Sequence, residues 1–170
     1  MTTMQLIGAL CLLAVIGLLV YYASLYNGVQ RLINIIPEVA SNITVLMQKR
    51  TDLISKLITI VDSYGLHESG INVKVAEEFG GAVSPNQSRG VIERLASLRM
   101  AFPELKADGL YESLMQELAQ VETDIAARRE RYNSTVRAYN TAILQFPANL
   151  LLSPFGFQIR PFLSEQELSI

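Results

Sequence analysis

The sequence predicts an all-α protein, in which an N-terminal transmembrane helix is followed by an antiparallel bundle of three to four long, coiled-coil-like helices. Three observations support this fold class: an uncharged apolar segment at the start, two long segments with apolar residues at helical spacing, and no segment with the alternating pattern of a strand. The chain has 170 residues and a formal net charge of -2, so it lacks the excess of positive charge that binds nucleic acid.

The N-terminal segment has the length and composition of a membrane anchor. The first charged residue is Arg31, and residues 6–22 are almost entirely apolar. Because a helix rises about 1.5 Å per residue, roughly 20 apolar residues cover the ~30 Å hydrocarbon layer. We therefore expect a short tail at residues 1–5 and a transmembrane helix at residues 6–26. The anchor residues predicted to face lipid are Leu6, Ile7, Leu10, Leu13, Ile16, Leu19 and Tyr22.

A cleaved signal peptide is the alternative interpretation of this segment. The sequence argues against it, because it has neither a positively charged n-region nor a site of small residues for cleavage. Cationic residues follow the apolar segment and none precedes it. The positive-inside rule then predicts an N-terminus outside and a helical domain in the cytoplasm.

Residues 27–146 are expected to form the helical bundle. Within residues 109–145, stripe residues are spaced alternately three and four apart, as in a helix packed at a shallow angle. Asp108 is a candidate N-cap for this helix, and Pro147 ends it. The stripe consists of Tyr111, Leu114, Leu118, Val121, Ile125, Arg128, Tyr132, Thr135, Tyr139, Ala142 and Phe146.

A second long helix is predicted at residues 37–64, with an apolar stripe of its own. Pro37 either begins this helix or kinks one that is continuous with the anchor. Gly65 is a candidate stop. Residues 147–170 form a hydrophobic C-terminal tail, which either packs on the bundle, inserts shallowly into the membrane or docks on a neighbouring subunit. Its candidate contacts for lipid or assembly are Phe155, Phe157 and Phe162.

Charged residues on the stripes predict a polar layer in the bundle. Arg50 and Arg128 both occupy stripe positions, and Asp52, Glu122 and Asp124 lie on the same two helices. Because a buried cation is costly unless it is paired, we expect an arginine to meet one of these carboxylates. The alternative is that the long arginine side chains extend to the edge of the core.

The residues that build catalytic sites are scarce. The chain has one histidine, His67, and one cysteine, Cys11, which excludes thiolate and multi-histidine metal sites within one copy. No phosphate-binding or nucleophile motif occurs. We therefore predict no catalytic residue, no cofactor, no metal and no enzymatic activity. A hydrolase site assembled between subunits from His67 and Glu68 is the remaining catalytic alternative.

Short motifs in a fixed order carry a family resemblance. They are Tyr26–Asn27, KRTDLI at 49–54, Tyr64 with His67–Glu68, FPELKA at 102–107, Glu122, Ile125, Ala126, Arg129, Tyr132, Asn133, Tyr139–Asn140, Phe146–Pro147 and FGF at 155–157. Together they resemble the LemA family of bacterial membrane proteins. The chain departs from the family pattern at Ser55–Lys56, where Pro–Asn is usual, and at Pro37.

The resemblance implies a single-pass protein at the bacterial inner membrane, with a coiled-coil-like helical bundle and no established catalytic activity. It also implies a loose link to membrane organisation, stress and magnetosome formation. Two non-catalytic functions follow: a scaffold that self-associates, and an adaptor that recruits a protease, kinase or secretion component. The expected partners are membrane lipid, further copies of the chain and an unidentified protein, but not nucleic acid.

Overall fold

The computed structural model describes residues 3–65 and 85–164. Within these ranges it contains helices and no β-strand, so the all-α prediction is confirmed. The predicted sites His67 and Glu68 lie outside the described residues. The helices are α1 (Thr3–Ser63), α2 (Pro85–Ala101), α3 (Pro103–Ala107), α4 (Gly109–Leu144) and α5 (Ala148–Leu152), and a 3₁₀ turn follows at Ser153–Phe155.

Helix α1 is a single helix of 61 residues that contains Pro37. Of the two alternatives for this proline, the structure therefore shows a helix that is continuous with the N-terminal apolar segment. Proline lacks an N–H, so one intrahelical hydrogen bond is missing there. Gly65 follows the helix with a φ of 72°, a left-handed conformation that glycine adopts without strain, and its N–H bonds the Asp62 carbonyl at 3.0 Å.

Helix α4 begins at the predicted cap. The backbone N–H groups of Leu110 and Tyr111 donate to Asp108 Oδ1 at 2.8 and 3.0 Å. Asp108 thus satisfies two of the amide groups that a helix start leaves without an intrahelical partner, which confirms the N-cap prediction. The helix ends at Leu144, shortly before Pro147.

The chain divides into two compact units, and α1 and α4 each contribute to both. Unit 1 consists of Met1–Val39 and Tyr132–Phe162, and unit 2 consists of Ala40–Arg131 and Leu163–Ile170.

Unit 2 has a core built by four helices. Leu57 from α1, Leu95 from α2 and Leu118 from α4 are each 0–1% exposed. Full burial of one such side chain stabilises a fold by about 1.5–3 kcal/mol. The buried residues are Leu53, Ile54, Leu57 and Val61 of α1, Val91, Leu95 and Leu98 of α2, Leu105 of α3, and Tyr111, Leu114, Leu118, Val121 and Ile125 of α4.

Unit 1 has a smaller core, to which the C-terminal tail contributes. Ala148 and Leu152 of α5 are buried, and Phe157 beyond the turn is partly buried against them. The tail therefore packs on helices of its own chain through these residues. The other buried members are Val29 and Ile36 of α1 and Val136, Tyr139 and Ile143 of α4.

The stripe on α4 follows the prediction closely up to Ile125, where all its positions are buried, and less closely beyond it. Tyr139 is buried as predicted, but Arg128 is exposed and Phe146 is 83% exposed. Val136 and Ile143, each one residue beyond a stripe position, are also buried. A strict 3.5-residue repeat drifts by about 20° per heptad against a straight helix of 3.6 residues per turn, so the repeat gradually leaves the packed face.

Candidate membrane and assembly surfaces

The N-terminal part of α1 is exposed along its whole length. Every described residue from Thr3 to Tyr21 is exposed, and the most apolar window of 18 residues has a mean hydropathy of 2.5 with none of it buried. By length and composition this helix is able to cross a membrane. Of the predicted anchor residues, six are exposed and Tyr22 is half-buried; the exposed ones are Leu6, Ile7, Leu10, Leu13, Ile16 and Leu19.

Tyr22 marks the point where the fold begins to cover α1. The Phe155 ring lies 6.1 Å from the Tyr22 ring and 5.4 Å from the Tyr26 ring, measured between centroids. Tyr26 also contacts Phe157 at 6.1 Å, with the rings edge to face. Such tilted arrangements are favourable for aromatic pairs. Of the predicted contact residues, Phe155 and Phe157 lie together, with their ring centroids 6.3 Å apart. Phe162, the third, is 47% exposed.

Two residues of α4 hold the extended tail through its backbone. Tyr139 donates its hydroxyl to the Gln158 carbonyl at 3.0 Å. Asn140 donates its side-chain amide to the Arg160 carbonyl at 2.8 Å and accepts the Arg160 N–H at 2.9 Å. The Arg160 guanidinium lies 5.8 Å from the centre of the Tyr139 ring. These contacts fix residues 158–160 against α4 within unit 1.

The structure brings together two of the five residues proposed for a polar layer. Arg50 Nη1 lies 3.5 Å from Glu122 Oε1, with 6% of the Arg50 side chain and 38% of the Glu122 side chain exposed. Asp52 accepts from Gln48 and Asp124 accepts from Gln120, each within its own helix. Arg128, which the predicted stripe placed on the packed face of α4, is exposed because of the drift described above.

Four acidic or phenolic groups in unit 2 have shifted pKa values, and a hydrogen bond to Asp108 raises that of Tyr64. The hydrogen bond from the Tyr111 N–H, followed by that from the Tyr64 hydroxyl at 2.9 Å, lowers the pKa of Asp108. A hydrogen bond from Lys49, whose Nζ lies 2.7 Å from Oε1, lowers the pKa of Glu117. Burial raises the pKa of Tyr111 to about 12, and its hydroxyl donates to the Leu95 carbonyl at 2.9 Å.

The described residues do not group into a metal site. No cluster of three or more His, Cys, Asp or Glu side chains occurs among them. Sequence reasoning did not single out Asn140 as a functional position, although Tyr139–Asn140 was among the motifs of the resemblance. Its burial to 8% exposure near the end of α4 is the structural feature that marks it, since a buried amide needs partners.

A helical fold with one exposed apolar helix of this length is the architecture of a membrane-associated helical protein, by length and composition. The model of the LemA family matches residues 39–169. The chain belongs to the LemA family, as its motifs indicated.

Three curated relatives are bacterial proteins named for the magnetosome. Magnetosome proteins MamQ 1 and MamQ 2 of Paramagnetospirillum magneticum are each 27% identical to the chain over 104 residues, which cover 59% of this chain and 38% of the relative. Magnetosome protein MamQ of Magnetospirillum gryphiswaldense is 20% identical over 190 residues, covering 91% of this chain and 70% of the relative. The chain thus spans well under half the length of MamQ 1 and MamQ 2. Neither the family description nor these names denote an enzyme.

Proposed function

We propose that this chain is a non-enzymatic, membrane-anchored helical scaffold, which self-associates at the bacterial inner membrane and organises or remodels it. The observation that carries the proposal is the continuity of α1. Its first part, residues 3–21, is apolar and exposed, and the same helix farther along supplies buried core residues such as Val29 and Leu57. No loop separates the anchor from the packed part of this helix.

Exposed apolar side chains outside the anchor support self-association. Isolated exposed apolar side chains are normal on any protein surface, but here they occur on α1, α2, α4, α5 and the link between α4 and α5. Burial against further copies would remove this surface from water. They are Val45, Met100, Leu110, Leu144, Phe146 and Leu150, exposed by 57–87%.

The shifted pKa values support a structural role over catalysis. Catalytic groups are usually perturbed where several of them converge in a cleft. Here Asp108 caps a helix, Tyr111 packs in a core, and Glu117 pairs with Lys49 on the surface. The similarity to proteins named for the magnetosome also favours a role in membrane organisation.

The orientation proposed for this protein has the N-terminus outside and the helical units in the cytoplasm. It rests on Arg31, the first cation after the apolar segment. In a Cys11→Ala background, Thr3→Cys should react with an impermeant maleimide added to intact cells after outer-membrane permeabilisation. Ser97→Cys, which is also exposed, should react only after lysis. The opposite pattern would reverse the orientation.

Cys11 provides a direct test of self-association. It is the only cysteine of the chain and is exposed on the apolar part of α1. Oxidation in intact membranes should link copies through a disulfide wherever the anchors meet. Single cysteines moved to Leu10, Leu12 or Leu13 in the Cys11→Ala background should cross-link with helical periodicity, because one face of α1 meets its neighbour.

Cys11→Ala alone is the matched control and should give monomers only. Uniformly monomeric protein at every position, together with a monomeric mass in mild detergent, would contradict the scaffold. Co-purification of one stoichiometric protein with that monomer would instead support the adaptor function. Release of the full chain by a carbonate wash would contradict both, since both require a membrane-spanning α1.

A further inference from the structure

The geometry points to a second membrane contact at the 3₁₀ turn Ser153–Phe155. The Phe155 ring inserts at the boundary between acyl chains and headgroups, in the leaflet from which α1 emerges. This inference rests on the membrane anchoring in the proposed function but not on self-association. It makes the C-terminal tail a lipid-contacting element in addition to a packing element.

The length of the uncovered anchor sets the depth of the turn. From Leu6 to Tyr21, α1 covers about 24 Å at about 1.5 Å per residue. The hydrocarbon layer is ~30 Å thick, so an upright helix that spans it needs further residues. Those residues are 22–26, where the fold begins to cover α1. The acyl chains therefore extend to the level of Tyr22 and Tyr26.

Phe155 lies at this level. Its ring contacts both Tyr22 and Tyr26, yet 52% of the residue is exposed. Tyrosine is enriched at the boundary between lipid and water, and an exposed phenylalanine beside it is removed from water by lipid. Phe157 differs, because it is partly buried against the core of unit 1.

The charges of unit 1 fit an adjacent membrane surface. Its cations are the exposed residues Arg31, Arg137 and Arg160, and its one acidic residue is Glu38. Arg31 lies about 8 Å beyond Tyr26 along α1, which is the thickness of the headgroup region. Anionic headgroups attract such cations. Lipid fits both the exposed Phe155 ring and the excess of cations in unit 1, whereas a purely acidic or a purely apolar protein partner would match only one of them.

The chain contains no tryptophan, so Phe155→Trp introduces a single reporter of depth. The full-length variant is placed in vesicles of phosphatidylethanolamine and phosphatidylglycerol that carry brominated acyl chains. Bromine near the headgroup end of the chain should quench its emission more than bromine near the methyl end. Two matched variants bracket the result: Leu13→Trp in the anchor, and Asn34→Trp, which is exposed on α1 about 12 Å beyond Tyr26.

The inference is supported if Leu13→Trp responds most to deep bromine, Phe155→Trp to shallow bromine, and Asn34→Trp to neither. It is overturned if Phe155→Trp is quenched no more than Asn34→Trp while Leu13→Trp is quenched, a result that leaves the anchor intact. It is equally overturned if a second copy of the chain, and not the lipid, shields Phe155→Trp from water. In that case the shielding would depend on protein concentration. Loss of quenching at Leu13 as well would overturn the anchor of the proposed function.

A nitroxide on Phe155→Cys, in the Cys11→Ala background, measures the same depth if the tryptophan variant misfolds.

Discussion

Asn140 holds both backbone polar groups of Arg160 with one side-chain amide. Its Nδ2 donates to the Arg160 carbonyl at 2.8 Å and its Oδ1 accepts the Arg160 N–H at 2.9 Å. An amide side chain on α4 thereby pairs with the extended tail as a neighbouring strand would. The contact satisfies the buried amide and holds residues 158–160 against α4.

Asn140→Ala should loosen the tail. The change removes two hydrogen bonds and leaves the Arg160 groups without this partner, at a cost of about 1–3 kcal/mol in the free energy of unfolding. Hydrogen exchange at the Arg160 amide should accelerate, and the melting temperature of the full chain in detergent should fall. Asn149→Ala, at an exposed position on α5, is the control and should change neither. Unaltered exchange at Arg160 in the first variant would show that the tail is held by other contacts.

The helices and much of their packing were predictable from the sequence, because apolar periodicity reports directly on which face is buried. The stripe of α1 correctly included Arg50, and Asp108 was correctly assigned as a cap. The assignment of Arg128 to the packed face of α4 was wrong, because a fixed heptad repeat does not represent the drift of a straight helix over ten turns. Sequence periodicity gives no register between two helices, so it did not select Glu122 as the partner of Arg50.

The contacts of the tail were not predictable for a different reason. Tyr139 and Asn140 bind backbone carbonyls and an N–H, which every residue carries, so no side-chain pattern marks the partner. The contact between Phe155 and Tyr26 joins residues far apart in the chain. The hydrophobic composition of the tail indicated that it must be covered, but its placement depends on the packed fold.

The Arg50–Glu122 pair should respond asymmetrically to mutation. Glu122→Gln leaves the Arg50 charge buried without its carboxylate and should cost about 1–2 kcal/mol, less than for a fully buried pair because Glu122 is 38% exposed. Arg50→Met removes a buried charge whose Nε has no hydrogen-bond partner among the residues that the structure describes, and leaves a carboxylate that water reaches. It should therefore be close to neutral. Thermal melting of both full-length variants measures the difference.

Glu117→Gln is the matched control for the Arg50–Glu122 pair. It breaks the ion pair between Glu117 and Lys49, in which both side chains are about half exposed. Because exposed ion pairs contribute little, the melting temperature should not change. If Arg50→Met were the more damaging of the two core variants, the packing of the Arg50 stem would matter more than its charge.

Asp108 should contribute stability that is lost in acid. Its pKa in the folded chain lies below the ordinary value of 3.8, chiefly because of the hydrogen bond from the Tyr111 N–H. The contribution is thus fully present above pH 3.8 and is lost as the pH falls through the lowered pKa. Asp108→Asn keeps an acceptor oxygen but no titratable group, so its melting temperature should vary less between about pH 5 and pH 2 than that of the parent chain.

Asp108→Ala should lower the melting temperature at neutral pH as well, since it removes the cap from α4. Asp52→Ala is the control: Asp52 is exposed and accepts a hydrogen bond from Gln48, one turn away on the same helix. Parallel acid profiles for the parent chain and Asp108→Asn would show that other carboxylates govern the acid response.

Tyr111 should contribute stability that is lost in alkali. Burial raises its pKa in the folded chain to about 12, above the ordinary value of 10.0. The contribution is present in full below pH 10.0 and is lost as the pH rises through about 12, because the unfolded chain releases the phenolic proton more readily. In a spectrophotometric titration of the folded chain, Tyr111→Phe should remove the component that ionises near pH 12. Tyr132→Phe, which retains Tyr111, should keep that component.

Because Tyr111→Phe also removes the hydrogen bond to Leu95, it should cost about 0.5–1.5 kcal/mol at neutral pH. If the component near pH 12 were unchanged in Tyr111→Phe, the assignment of the buried phenol to Tyr111 would be wrong.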